Sequence, residues 1–93
     1  MPLDSTDGRQ VKCNVNGSQV IKVGSGRITE MCTITTGTAC ALHDCATVGE
    51  ANIDNQIANI SQTSTGMDHI YMPFQFGLVA ILTGGAVVSI AFN

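Results

Sequence analysis

Six consecutive residues, Cys40-Ala41-Leu42-His43-Asp44-Cys45, hold two of the four cysteines and one of the two histidines in this chain. Two thiols and an imidazole in so short a run invite a metal reading, with Cys32 and His69 as further ligands. The spacing argues against it. Structural zinc sites use paired Cys-x-x-Cys knuckles, and on a strand Cys40 and Cys45 are an odd number of residues apart and face opposite sides. The four cysteines, Cys13, Cys32, Cys40 and Cys45, are an even set, which in a secreted chain would read as disulfides. The N-terminus, Met1-Pro2-Leu3-Asp4-Ser5-Thr6-Asp7, has neither a charged n-region nor an apolar h-region. The expectation is therefore a product made in a cytoplasm, with reduced thiols buried as small apolar groups.

Nucleophilic catalysis needs a nucleophile, a base and an orienting group that converge. His43-Asp44 and Asp68-His69 are adjacent pairs, but strand neighbours point to opposite faces, so neither pair orients itself. A dyad of Cys40 or Cys45 with His69 stays open, because spatial adjacency is not written in the sequence. The simpler reading is a surface histidine beside a turn aspartate. Gly24-Ser25-Gly26-Arg27 has the look of a phosphate-cradling loop, yet no helix follows to complete such a site, and Gly-Ser-Gly is common turn chemistry. Asp44, Glu50 and Asp54 could hold a hard cation, but they miss the alternate-residue ligand pattern of an EF-hand loop. The expectation is no enzyme, no metal and no cofactor.

Only four residues are basic (Arg9, Lys12, Lys22 and Arg27) and the net charge is −3. No basic stripe can exchange for counterions on a phosphate backbone, so nucleic acid is not an expected partner. The charged fraction of 12% is about half the usual value. Thr, Ser, Asn and Gly take the places of Lys and Glu, a composition suited to β-structure and to surfaces that pack on other proteins. At 93 residues the chain makes one domain with a modest core, for which oligomerisation is a natural source of extra stability.

The elements that must position these residues are short alternating runs. Residues 1–8 are polar, contain Pro and Gly, and read as a loose arm; 9–93 reads as a single β domain. Arg9 to Val15 puts Val11, Cys13 and Val15 on one face, and Asn16-Gly17 is a strong hairpin signal leading into Ser18 to Val23. Arg27 to Thr36 places Ile28, Cys32 and Ile34 on a face with Glu30, a misfit that marks either a bulge or a surface meeting another subunit. Ala39 to Cys45 is a further strand. Thr47 to Asn55 is a long loop with room for one helical turn. Gln56 to Ile60 alternates again, with Ile57 and Asn59 opposite Ala58. Ser61 to Gly66 is a polar loop, and Met67 to Met72 is a strand ending at Pro73, at an edge or a corner.

The last segment, Phe74 to Phe92, just reaches the roughly 18–20 apolar residues that span a bilayer. One reading is a transmembrane helix over 74–92. The other is a pair of strands folded at Thr83-Gly84-Gly85, favoured by the β-branched Val79, Ile81, Val87, Val88 and Ile90 and by the absence of a following Lys or Arg. The hairpin reading gives an all-β fold: a small antiparallel sandwich or jelly-roll-like barrel of about eight short strands. The hairpin should be its central pair, or have one face covered by a neighbouring chain.

The order of several short motifs resembles a known family. These are Gly26-Arg27-Ile28, Thr33-Ile34-Thr35-Thr36-Gly37-Thr38, Leu42-His43-Asp44, Asn55-Gln56-Ile57-Ala58-Asn59-Ile60, Met72-Pro73-Phe74, Gly77-Leu78-Val79 and the closing Gly85-x-Val87-x-Ser89-Ile90-x-Phe92. The match runs from about Gly26 to Asn93 and resembles the small head decoration (cement) proteins of tailed bacteriophages. Where members often carry hydrophobic-Tyr-Asp, this chain has Leu42-His43-Asp44. The resemblance implies a jelly-roll-like or tulip-like virion protein on the capsid exterior. It would be a homo-oligomer, a trimer at capsid three-fold positions, that clamps the major capsid protein and catalyses nothing. On this reading the arm, with Pro2, Leu3, Asp4 and Arg9, reaches across the shell. Phe76, Leu78, Val79, Ile81, Val88, Ile90 and Phe92 form the subunit–subunit core. The competing function is a small membrane protein, holin-like or a minor coat component.

Overall fold

The alternating runs form eight strands in the computed structural model, which describes residues 10–93. They are β1 (Gln10–Val15), β2 (Ser18–Val23), β3 (Gly26–Thr35), β4 (Ala39–His43), β5 (Gln56–Ser61), β6 (Gly66–Phe74), β7 (Gly77–Thr83) and β8 (Val87–Phe92). Pro2, Leu3, Asp4 and Arg9, and with them the proposed arm over 1–8, lie outside the described residues.

Two four-stranded antiparallel sheets pack face to face, in the orders β1-β8-β3-β6 and β2-β7-β4-β5. The pairing is nested: β1 with β8, β2 with β7, β3 with β6, β4 with β5. The chain is thus one long ribbon folded at the β4–β5 connection. It is rolled so that β3 also pairs with β8 and β4 with β7. This is jelly-roll connectivity in an open sandwich, not a closed barrel.

The nesting overturns both expected hairpins. β1 and β2 flank Asn16-Gly17 yet pair with β8 and β7, and β7 and β8 lie in opposite sheets. The turn residues behave as their chemistry requires, with positive φ at Gly17 (62°), Gly84 (72°) and Gly85 (82°). Such a turn reverses the chain without choosing its hydrogen-bond partner. Here the terminal strands gain more by stacking across the core than by lying side by side. Leu78, Ala80 and Leu82 of β7 share one buried cluster with Val88, Ile90 and Phe92 of β8. Each is a central strand of its own sheet, as their apolarity demanded, and their excess of hydrophobes fills the chain's own core. The helix reading of 74–92 gives way to strands, and no helix among the described residues is long and apolar enough to cross a membrane.

Bulges correct three face assignments. In β3 the register slips between Ile28 and Glu30 in both of its ladders. Ile28 therefore points inward with Met31 and Thr33, all nearly inaccessible, while Glu30 and Cys32 turn outward. In β1 a slip between Lys12 and Val15, with Asn14 at φ 57°, buries Val15 and leaves Val11 exposed. In β5 a slip opposite Leu42 and His43 lets Ile57, Ala58 and Ile60 all pack on the core, while Asn59 is exposed. A period-two reading cannot follow a strand through an inserted residue.

One buried amide closes the end of the sandwich. Gln62, in a segment read as a polar loop, is fully buried. Its Oε1 accepts the Thr33 hydroxyl at 2.6 Å, and its backbone carbonyl accepts the Gly37 amide at 2.7 Å. Its side-chain nitrogen donates to the carbonyls of Ile60 and Ser61. Each partner offsets the desolvation that burial imposes on a polar group.

Candidate functional site

The reactive residues gather at the β4–β5 connection, where the ribbon folds. Residues 44–55 carry two short 3-10 turns, Val48–Glu50 and Ile53–Asn55, and the first lies against β2. The second is held by Asn52, whose Oδ1 accepts the Asp54 amide at 2.8 Å while its own amide donates to Asn55 Oδ1 at 3.0 Å. These bonds satisfy backbone groups that a short turn leaves open, as a capping box does.

His43 is buried, not the surface histidine expected. Leu42 faces the core, so its neighbour His43 points out of the sheet, beneath the connection. Its Nδ1 lies 3.0 Å from Asn52 O and 2.9 Å from Asn55 Oδ1. Asn52 O can only accept, so Nδ1 carries the proton and donates. The histidine thus pins the connection onto the sheet. The same cover leaves Val79, which pairs with His43, fully buried although it points away from the core.

Asp44 points elsewhere, as the strand geometry required. Its carboxylate gathers the amides of the β6–β7 turn. Oδ1 accepts from Gln75 at 3.0 Å, Phe76 at 2.8 Å and Gly77 at 3.4 Å, and Oδ2 from Gln75 at 2.9 Å. An aspartate next to a histidine in sequence is therefore a clamp on a distant turn, not a partner of the imidazole. Between connection and turn opens a cleft of about 570 Å³, lined by Asp44, Cys45, Glu50, Asn52, Asn55 and Phe76 among others. Its polar groups are largely engaged: Glu50 Oε1 accepts the Thr47 hydroxyl at 3.0 Å, and the amide nitrogens of Asn52 and Asn55 both donate to Glu50 O.

The thiols do not meet. Cys40 lies in the core, where burial pushes its pKa from 9.0 up to about 12. Cys45 donates to Thr47 O at 3.4 Å; desolvation, with Glu50 nearby, raises its pKa as well. Both are thiols rather than thiolates at neutral pH, so neither is an activated nucleophile. Cys32 sits on the opposite sheet, and His69 pairs there with Glu30, Nδ1 to Oε2 3.1 Å. The dyad of Cys40 or Cys45 with His69 is not assembled. Among the described residues no three His, Cys, Asp or Glu side chains are placed to share a metal ion. The Gly24-Ser25 turn is engaged by its own chain, with the Gly24 amide donating to Phe76 O at 3.0 Å.

These environments set an order of thiol reactivity. A disulfide-exchange reagent at neutral pH is expected to modify exposed Cys13 first and half-buried Cys32 more slowly, sparing Cys40 and Cys45 until the chain unfolds. Four fast thiols would contradict this. Alkali should destabilise the fold as well. Above pH 9.0 the unfolded chain releases the Cys40 proton while the folded chain keeps it to about 12. The unfolded state then binds fewer protons, and stability falls by up to about 1.4 kcal/mol per pH unit. Urea midpoints between pH 8 and pH 11 check the slope, which should be shallower in Cys40→Ala.

Of the residues assigned to a subunit–subunit core, Leu78, Val88, Ile90 and Phe92 are inside this chain's core and Val79 lies under the β4–β5 connection. Ile81 is half-buried. Phe76 alone is widely exposed, at 63%. Other exposed apolar side chains are spread over both sheets and the β4–β5 connection: Val11, Met67 and Tyr71 on one sheet, Val20 and Val23 on the other, and Val48 and Ile53 on the connection. Comparison with family models, with curated proteins and with solved structures returns no match.

Proposed function

We propose that the chain is a structural virion subunit, a decoration or cement protein that binds the exterior of a tailed-phage head as a homo-oligomer, a trimer on the resemblance, and stabilises the capsid protein beneath. What supports this reading is where the chemistry-bearing side chains go. His43, Asp44, Cys40, Cys45 and Gln62 are all occupied in holding the fold. Exposed apolar side chains are left over on both sheets, Val11, Met67 and Tyr71 on one and Val20 and Val23 on the other. Jelly-roll sandwiches recur in viral coat and lectin domains. A fold alone carries no function, so the capsid assignment rests on the motif order from Gly26 to Phe92.

The test is co-sedimentation of the purified chain with heads of the phage that encodes it. The full chain is expected to pellet with the heads. A chain lacking residues 1–8 should stay oligomeric and pellet less, since the arm is the segment assigned to the shell. Loss of the oligomer on truncation would remove that assignment, and a full chain that stays in the supernatant would remove the capsid reading itself.

A further inference from the structure

Phe76 is displayed rather than packed. Its ring is 63% exposed and lines the cleft of about 570 Å³ between the β4–β5 connection and the β6–β7 turn. The backbone that carries it is fixed on both sides. Its amide donates to Asp44 Oδ1 at 2.8 Å, and its carbonyl accepts the Gly24 amide at 3.0 Å. An aromatic ring on so pinned a turn loses little freedom when a partner packs on it, as binding anchors do.

The rest of the lining is anionic and hydrogen-bonding. Asp44 and Glu50 belong to it, and among the described residues no Lys, Arg or His does. Neither carboxylate is fully used within the chain. Asp44 Oδ2 accepts the Gln75 amide alone. Glu50 Oε1 takes the Thr47 hydroxyl, and Oε2 has no partner among the described residues. Both charges are felt at the Cys45 thiol, whose pKa is raised first by desolvation and further by Glu50 and then Asp44. Asn52 and Asn55 each donate one side-chain amide proton to Glu50 O and keep a second to give.

We infer that the cleft takes an arginine side chain of a partner polypeptide. Its guanidinium lies against the Phe76 ring and the carboxylates of Asp44 and Glu50, and the partner's neighbouring carbonyls accept from Asn52 and Asn55. This goes beyond the proposed function and does not rest on it. Charge complementarity selects a cation, since a phosphate would meet two carboxylates and no basic side chain. Arginine suits the lining better than lysine. A planar guanidinium stacks on an aromatic face while its N–H groups still reach acceptors, whereas an ammonium is a compact, strongly hydrated charge. A free guanidinium compound would leave the two asparagine donors without the acceptors that a peptide backbone supplies. The volume also falls within the roughly 300–1,000 Å³ of ligand pockets, room for one such side chain and its flanking backbone.

The experiment titrates the peptide acetyl-Gly-Arg-Gly-amide into the full chain and follows backbone amide shifts by NMR, with acetyl-Gly-Lys-Gly-amide and methylguanidinium as comparisons. Expected are saturable shifts at residues 50–55 and 75–77, with the arginine peptide binding more tightly than either comparison. Asp44 is left in place because it also holds the turn. Glu50→Gln keeps the acceptor for Thr47 and removes the charge; Phe76→Ala removes the ring. Each should weaken the arginine peptide by about 2–5-fold, while Tyr71→Ala on the other sheet should not. Four results overturn the site: no saturable shift at these residues, a lysine peptide that binds equally well, methylguanidinium that binds as tightly as the peptide, or affinity that survives both substitutions. No phage head enters the titration, so the capsid reading stands or falls separately.

Discussion

Ile90→Asp is expected to abolish cooperative folding, not simply to separate subunits. Ile90 is fully buried between β1 and β3, opposite Lys12 and Met31, in the cluster that joins both sheets. Truncating a buried Ile costs about 2–5 kcal/mol through lost transfer energy and the cavity left behind. Burying a carboxylate adds several more, or the carboxyl must take up a proton against neutral pH. The total reaches the ~5–15 kcal/mol that holds a domain together. Ile90→Val should cost only about 0.5–1.5 kcal/mol. Circular dichroism with urea titration reads the outcome: no sigmoidal transition for the Asp variant and a modestly lowered midpoint for Val. A folded, monomeric Ile90→Asp would mean that this side chain belongs to a subunit interface, as its sequence context alone suggested, and that the packing described above is wrong.

That contrast shows which part of the fold the residues declare. Strand positions are legible because alternation and turn glycines are local: Asn16-Gly17, Gly24-Ser25 and Gly84-Gly85 all fall between strands. Partner choice is not local. The same Gly84-Gly85 turn serves a hairpin or a crossing between sheets. What decides is whether β7 and β8 bury more by stacking than by pairing, which depends on β1 to β4. Face choice fails for a related reason at Glu30, where the misfit charge did signal a bulge. The bulge moves Ile28 to the side of Met31 and Thr33, and no alternation rule reports that an extra residue has been inserted.

The site was legible only in its separations. That His43 and Asp44 diverge follows from strand geometry, and it holds. Their partners could not be read, since Asn52 and Asn55 reach His43 through folding of the connection, and the amides of residues 75–77 meet Asp44 only once β4 and β7 are paired. Gln62 gave no signal at all. A glutamine among Ser, Thr and Gly looks solvated until the Thr33 hydroxyl and the carbonyls of Ile60 and Ser61 are brought around it.

Asp44→Ala is expected to loosen the molecule at one end, by about 2–4 kcal/mol, while leaving the sheets recognisable. Hydrogen bonds to a charged group are each worth ~1.5–3 kcal/mol, and three amides share this carboxylate. Their sum overstates the loss, because Gln75 and Phe76 are exposed and water can replace the carboxylate there. The Gly77 amide belongs to a buried residue but lies 3.4 Å from Oδ1, so the shorter bonds from Phe76 and Gln75 carry most of the loss. Asn at this position keeps an acceptor oxygen but loses the charge and turns an NH₂ toward an amide donor; it should fall between wild type and Ala. Urea midpoints give the magnitude, and hydrogen exchange gives the location. The amides of residues 75–77 should exchange faster in Asp44→Ala, while that of Gly37, bonded to Gln62 O at the far turn, should keep its protection. Uniformly faster exchange would make Asp44 a contributor to global stability only. Unchanged exchange at 75–77 would mean the turn holds its shape without the clamp, and that the exposed position of Phe76 owes nothing to its neighbour's carboxylate.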